Sequence, residues 1–139
     1  MKLSKRSKKP ETLFKDLVRI MEKLRSKDGC PWDKHQTHSS LLKYLYSEAD
    51  EVKAAIRKKD WDNLCEELGD VLLQIVFHSQ VAKESGLFDI SDVVKGINEK
   101  LIRRHPHVFS GKKVSSSKEV IKQWDEIKKL EKAGKFKKS

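Results

Sequence analysis

Apolar residues in this chain recur three and four positions apart in five separate stretches, and nowhere alternate convincingly with polar ones over more than four positions. That spacing follows the 3.6-residue turn of an α-helix and leaves no strand to organise a sheet, so the expected fold class is all-α. The first stretch opens at Pro10, a favoured first-turn residue, and carries Leu13, Phe14, Leu17, Val18, Met21 and Leu24 before Asp28-Gly29 interrupts it. A loop from Gly29 to His38 follows, after which Ser39 or Ser40 is expected to cap a helix striped by Leu41, Leu45, Val52, Ala55 and Ile56. The third helix starts near Asp60, shows Trp61, Leu64, Leu68, Val71, Leu72, Ile75 and Val76, and stops at Gly86. The fourth runs from Asp89 to Pro106 through Val93, Val94, Ile97 and Leu101, and the fifth from Ser115-Ser116-Ser117 through Val120, Ile121, Trp124, Ile127 and Leu130 to Gly134. Only a few residues near Lys58-Lys59-Asp60 join helices two and three, which makes them an antiparallel hairpin.

Charged residues are as common as apolar ones, 37% each. A core must therefore be built from narrow stripes on otherwise polar helices, and 139 residues suit one domain rather than two. The net charge of +10 sits at the ends: residues 1–9 hold five Lys or Arg and no acid, and residues 128–139 hold six Lys against Glu131. What lies between is neutral. We expect a disordered basic tail at 1–9, a single helical domain over 10–131, and a second basic tail at 132–139, with at most weak, non-specific adhesion to nucleic acid. No apolar run is long enough for a membrane span, and MKLSKRSKKPE lacks the apolar stretch of a signal peptide, so the expected location is the cytoplasm. Five amphipathic helices leave more apolar stripe than one short chain covers, which points to a homodimer or higher homo-oligomer.

Carboxylates normally take the wet face of a helix, yet Glu48 lies between Leu45 and Val52 in the apolar stripe, and Glu67 lies likewise between Leu64 and Val71. Glu51 and Asp70 follow each at i+3, on the same faces. In the folded hairpin the pairs Glu48–Asp70 and Glu51–Glu67 are each symmetric about residue 59, so all four acids are expected to converge. Carboxylates gathered beside apolar side chains repel one another and lose hydration, so a positive partner is required. A hard divalent cation fits, Mg²⁺ or Mn²⁺ in its place, because such ions take oxygen ligands and are commonly completed by substrate phosphates. A single Glu-x-x-Glu is ordinarily a solvated helix face; the symmetric double pair is what carries the metal reading. Neither helix supplies the Glu-x-x-His of a di-iron centre. Cys30, His35, His38 and Cys65 raise zinc as an option, but they include no Cys-x-x-Cys and form no compact spacing.

Lys100, Arg103 and Arg104 fall at i, i+3 and i+4 near the end of helix four. They suit phosphate binding, and equally suit a helix C-terminus whose dipole favours cations. Trp32 and Trp124 are candidates for stacking on a flat base, with plain packing the simpler role for Trp124 at a helical core position.

The ordered set Gly29-Cys30-Pro31-Trp32-Asp33, Gln36-Thr37, Glu48-x-x-Glu51, Glu67-Leu68-Gly69-Asp70 and Lys100-Leu101-x-Arg103-Arg104-His105-Pro106-His107-Val108-Phe109, with the late Trp124-x-x-Ile127-Lys128, resembles MazG-type nucleoside triphosphate pyrophosphohydrolases over roughly residues 13–131. The resemblance implies a helical bundle completed by a second chain and Mg²⁺-dependent cleavage of (d)NTP to monophosphate and pyrophosphate. It further implies metal ligation and catalysis by Glu48, Glu51, Glu67 and Asp70, phosphate contacts from Lys100, Arg103 and Arg104, and a nucleotide contact from Trp124. Ser47 precedes Glu48 where many members carry a second acid. The expected reaction is attack by water on the α-phosphorus, with Glu48 and Glu51 the nearest candidates for the base. The alternatives are a helical nucleic-acid-binding or partner-binding module that works through its basic tails.

Overall fold

A computed structural model describes residues 9–134. Residues 1–8 and 135–139, which hold most of both basic tails, lie outside the described residues. Within them the chain is helical, with no strand: α1 (Pro10–Leu24), α2 (Pro31–His35), α3 (His38–Lys58), α4 (Trp61–Glu84), α5 (Ile90–Arg104), α6 (Pro106–Phe109) and α7 (Ser117–Lys132). The five long helices are those the apolar spacing marks. The short α2 and α6 fall where a loop and a helix stop were expected; each opens on a proline at its first position, where the missing N–H costs nothing.

The cap of α3 also differs from expectation. It is Thr37, not Ser39 or Ser40: the Thr37 hydroxyl accepts from the Ser40 N–H at 3.1 Å, and the Ser40 hydroxyl in turn accepts from the Thr37 N–H at 2.8 Å. The reciprocal pair satisfies two donors that a helix start otherwise leaves open, with Ser40 in the role more often played by Glu or Gln. Asp60 caps α4 by accepting from the Asn63 N–H at 3.2 Å, and the Ser116 hydroxyl does the same for α7 from Glu119 at 3.3 Å. Between α3 and α4 the chain reverses at Lys59, whose φ of 54° is the one left-handed non-glycine conformation among the described residues. The turn therefore sits where the symmetry of the acids places it.

The described residues divide into two compact units, the first ending at Ile90 and the second beginning at Ser91. In the first, α3 packs extensively along α4, and α1 packs against α4. Met21, Leu41, Val76, Phe77 and Val81 are buried at its centre, with Phe14, Leu17, Val18, Leu24, Tyr44, Leu73 and Ile90 packed around them. In the second, Gln123 and Ile127 of α7 are buried, while α5 has no buried residue. No helix among the described residues is long and apolar enough to cross a membrane.

Candidate active site

The α3–α4 hairpin brings Glu48, Glu67 and Asp70 together, each half-buried and each offering one carboxylate oxygen within 4.8 Å of the others. Glu51 stands outside that trio, exposed, but close enough for its charge to act on Glu67. The Glu67 carboxyl is pushed above the usual carboxylate value, first by partial removal from water, then by the charges of Glu51, Asp70 and Glu48, and last by a hydrogen bond shared with Glu48. An oxygen-only donor set that raises its own proton affinity is what a hard cation relieves, and the residues present fit Mg²⁺ or Mn²⁺. Among the described residues no other group of three metal-ligating side chains converges. The zinc candidates are dispersed accordingly: Cys65 is exposed, Cys30 is half-buried, and His38 is engaged by His78.

That last contact is close. His38 Nδ1 and His78 Nδ1 lie 2.8 Å apart with ring planes within 5° and centroids 5.0 Å apart. The centroid separation is nearly spanned by the nitrogen contact plus the two ring radii, so the imidazoles meet edge to edge and share one proton, one donating and the other accepting. Burial, and after it the charge of His38, holds the His78 imidazole below the usual histidine value.

In the second unit Arg103 and Arg104 converge on one carboxylate. Arg103 Nη2 donates to Glu131 Oε2 at 2.9 Å, and Arg104 Nε to Glu131 Oε1 at 3.0 Å. Hydrogen bonds from both guanidiniums, Arg104 foremost, hold the Glu131 carboxyl down at about 2. The guanidiniums thus reach sideways to α7 rather than lying along their own helix end, while Lys100 is exposed. On α7, Trp124 makes a T-shaped contact with His105, centroids 5.4 Å apart, and its indole N–H is buried with no partner among the described residues. Its neighbour Gln123 donates to His107 Nδ1 at 2.9 Å. Trp32, in the first unit, stands 49% exposed against Tyr44 and Phe77.

The pattern of the MazG nucleotide pyrophosphohydrolase domain matches residues 36–109, which hold all four acids and the Lys100-x-x-Arg103-Arg104 cluster. The chain belongs to the MazG family. It is similar to the nucleoside triphosphate pyrophosphohydrolase/pyrophosphatase MazG of Thermotoga maritima, at 56% identity over 123 residues, which cover 88% of this chain and 47% of that protein. With the nucleoside triphosphate pyrophosphohydrolase of Escherichia coli K12 the identity is 47% over 120 residues, 86% of this chain and 46% of that one. The chain thus spans about half the length of these curated MazG relatives. Its fold matches the crystal structure of a mazG-related protein from Thermotoga maritima with a TM-score of 0.70 at 36% identity, over 83% of this chain and 98% of that chain.

Several residues around the MazG motifs carry no sequence mark of their own. Arg25 at the end of α1 bonds Glu84 through two nitrogens, at 2.8 and 3.0 Å. Its Nη1 also donates to the carbonyls of Asp33 and Gln36, on either side of the turn into α3. Glu131 and His78 are likewise defined only by partners far along the chain. Gly29 has a visible reason: a Cβ there would meet the Leu24 carbonyl oxygen at 2.1 Å, so the chain passes that close only without a side chain.

Proposed function

We propose that the protein is a Mg²⁺-dependent nucleoside triphosphate pyrophosphohydrolase, cleaving (d)NTP to (d)NMP and pyrophosphate by attack of water at the α-phosphorus. The observation that carries this reading is the convergence of Glu48, Glu67 and Asp70 on the hairpin of a MazG-family chain. These three would hold the cation, with Glu51 beside them. Bound there, Mg²⁺, or Mn²⁺ in its place, would supply Lewis-acid polarisation of phosphoryl oxygens.

Glu51, exposed and outside the trio, accepts a proton from the attacking water, with Glu48 the other candidate base. The water oxygen bonds to the α-phosphorus. The bond from that phosphorus to the bridging oxygen breaks, and pyrophosphate leaves with the electron pair. Lys100, Arg103 and Arg104 bind phosphate oxygens and offset charge on the leaving group, the guanidiniums being oriented by Glu131. Trp32 and Trp124 contact the nucleoside. We further propose that the protein works in the cytoplasm as a homodimer or higher homo-oligomer built on a single domain over 10–131. Exposed apolar side chains on the hairpin, Leu42, Tyr46, Ile56, Trp61 and Leu68 among them, support a second copy as the covering surface.

The test is pyrophosphate release from a panel of normal and modified triphosphates, with MgCl₂ and with chelator. Glu48→Gln and Asp70→Asn should each abolish Mg²⁺-dependent release while the helical circular dichroism spectrum is retained. Full activity in both variants refutes the carboxylate site.

A further inference from the structure

Trp32 is an exposed aromatic held unusually firmly. Its ring makes a T-shaped contact with Tyr44, with centroids 5.6 Å apart and planes at 73°, and a second with Phe77 at 6.4 Å and 80°. Ring surface nevertheless remains open to solvent, since the side chain is about half exposed. The helix that carries it has five residues, too few to persist on its own hydrogen bonds. Outside ties hold it instead. The Cys30 N–H donates to the Leu24 carbonyl at 2.8 Å, across the close pass that Gly29 permits. Buried Gln36 donates from Nε2 to the Trp32 carbonyl at 3.0 Å and accepts from the Ser40 hydroxyl at 2.7 Å.

Arg25 joins these ties. Its side chain is only 7% exposed and is fixed from behind by the two-point bond to Glu84. In front, Nη1 donates to the carbonyl of Gln36 and to that of Asp33, which also accepts from the Gln36 N–H at 3.4 Å, so the end of this short helix is closed by the guanidinium. The guanidinium carbon also lies 5.7 Å over the Phe77 ring, the same ring that Trp32 abuts. One cation thus grips both ends of the segment that follows Trp32 and the floor beneath it.

The direction of the platform matters as much as its rigidity. Tyr44 precedes Glu48 by one turn of α3, and Phe77 follows Asp70 by two turns of α4, so all four share one stripe of the hairpin. Trp32, packed against Tyr44 and Phe77, therefore stands at the end of the acidic stripe that lies away from the turn at Lys59.

We propose that Trp32 is the stacking platform for the nucleobase and that Arg25, braced by Glu84, is the residue that positions it. The inference rests on the triphosphate reading of the same hairpin and adds to it the determinant of base binding.

The test uses the full chain with dATP as substrate and inorganic tripolyphosphate as a base-free competitor. Trp32→Ala raises KM for dATP roughly tenfold, within the range of a lost base–aromatic stack. Arg25→Met, which keeps the stem and removes the donors, raises KM nearly as far and changes kcat less. In both, the inhibition constant of tripolyphosphate stays at the wild-type value, because the phosphate end is untouched. The double variant is no worse than Trp32→Ala, since Arg25 acts through the indole. Glu84→Gln, which keeps an acceptor for Arg25 but not the charge, gives a smaller rise and serves where Arg25→Met fails to fold. Additive losses, an equal change in the tripolyphosphate constant, or a lowered Tm with unchanged KM in Arg25→Met and Glu84→Gln overturns the proposal. A wild type that hydrolyses dATP while Trp32→Ala keeps its KM sinks this inference alone; a wild type that hydrolyses no triphosphate sinks the reading beneath it.

Discussion

Replacing Glu48 with Gln exposes the two-sided energetics of the acidic trio. Without a divalent ion, Glu48, Glu67 and Asp70 repel across 4.8 Å or less, and Glu67 keeps a proton more tightly than an ordinary carboxyl. The amide removes one charge and can still hydrogen-bond Glu67, so the chelator-treated variant should melt at or above the wild-type temperature. With the ion present the order reverses. A ligand that binds only the folded state at a hundred times its Kd stabilises by about 2.7 kcal/mol. An unfolding entropy of about 2.1 cal/mol/K per residue over 139 residues turns that into a rise of roughly 9 °C. If losing one of three ligands weakens Kd a hundredfold, the same concentration gives only about 0.4 kcal/mol, or roughly 1 °C.

Differential scanning calorimetry of both proteins in EDTA and in MgCl₂ reads all four melting temperatures. The raised carboxyl adds a pH signature: the folded state binds its proton more readily than the unfolded one. Stability of the ion-free protein should thus fall as pH rises from the ordinary value of 4.5 through the raised value of Glu67, and Mg²⁺ should remove that slope. A wild-type melting temperature indifferent to Mg²⁺, or an equal shift in Glu48→Gln, would refute the argument.

Arg104→Ala should lower kcat/KM on triphosphates by roughly tenfold or more, the scale of a lost charge-assisted phosphate contact of about 1.5–3 kcal/mol; a loss of stability with unchanged kinetics would instead assign the cluster to holding α7 through Glu131. Because His78 is held neutral by burial and by His38, the stability it contributes is present above the unfolded value near 6.5 and is lost as pH falls below it. His78→Phe should flatten that part of the Tm-against-pH curve, and an unchanged slope excludes the pair as its source. Light scattering at assay concentration should give at least twice the 16.1 kDa of one chain, and a monomer mass would rule out the shared apolar surface.

How far the sequence discloses this molecule depends on the range over which each interaction acts. The long helices are legible because their signal is local and repeated: Leu64, Leu68, Val71 and Ile75 mark a face of α4 at every turn. The acidic trio is legible for a related reason, since a turn at residue 59 converts spacing along two helices into proximity across them. Equal distance from the turn assumes ideal parallel axes, however, and the structure centres the group on Glu48, Glu67 and Asp70 with Glu51 beside it. The short helices are marked only by Pro31 and Pro106, because five and four residues show no period. Arg25 is not legible at all. Its partner Glu84 lies 59 positions away, and in a chain with 31 Lys and Arg nothing local distinguishes it. The apolar stripes give the complementary case: Leu68, Leu72 and Ile75 keep the helical period yet remain exposed, and α5 buries none of its stripe. Periodicity specifies which face of a helix is apolar, whereas what covers that face is a property of the partner. Exposed stripes on helices this regular are therefore an argument for a covering surface supplied by another chain, and the oligomer measurement bears on the fold as much as on the function.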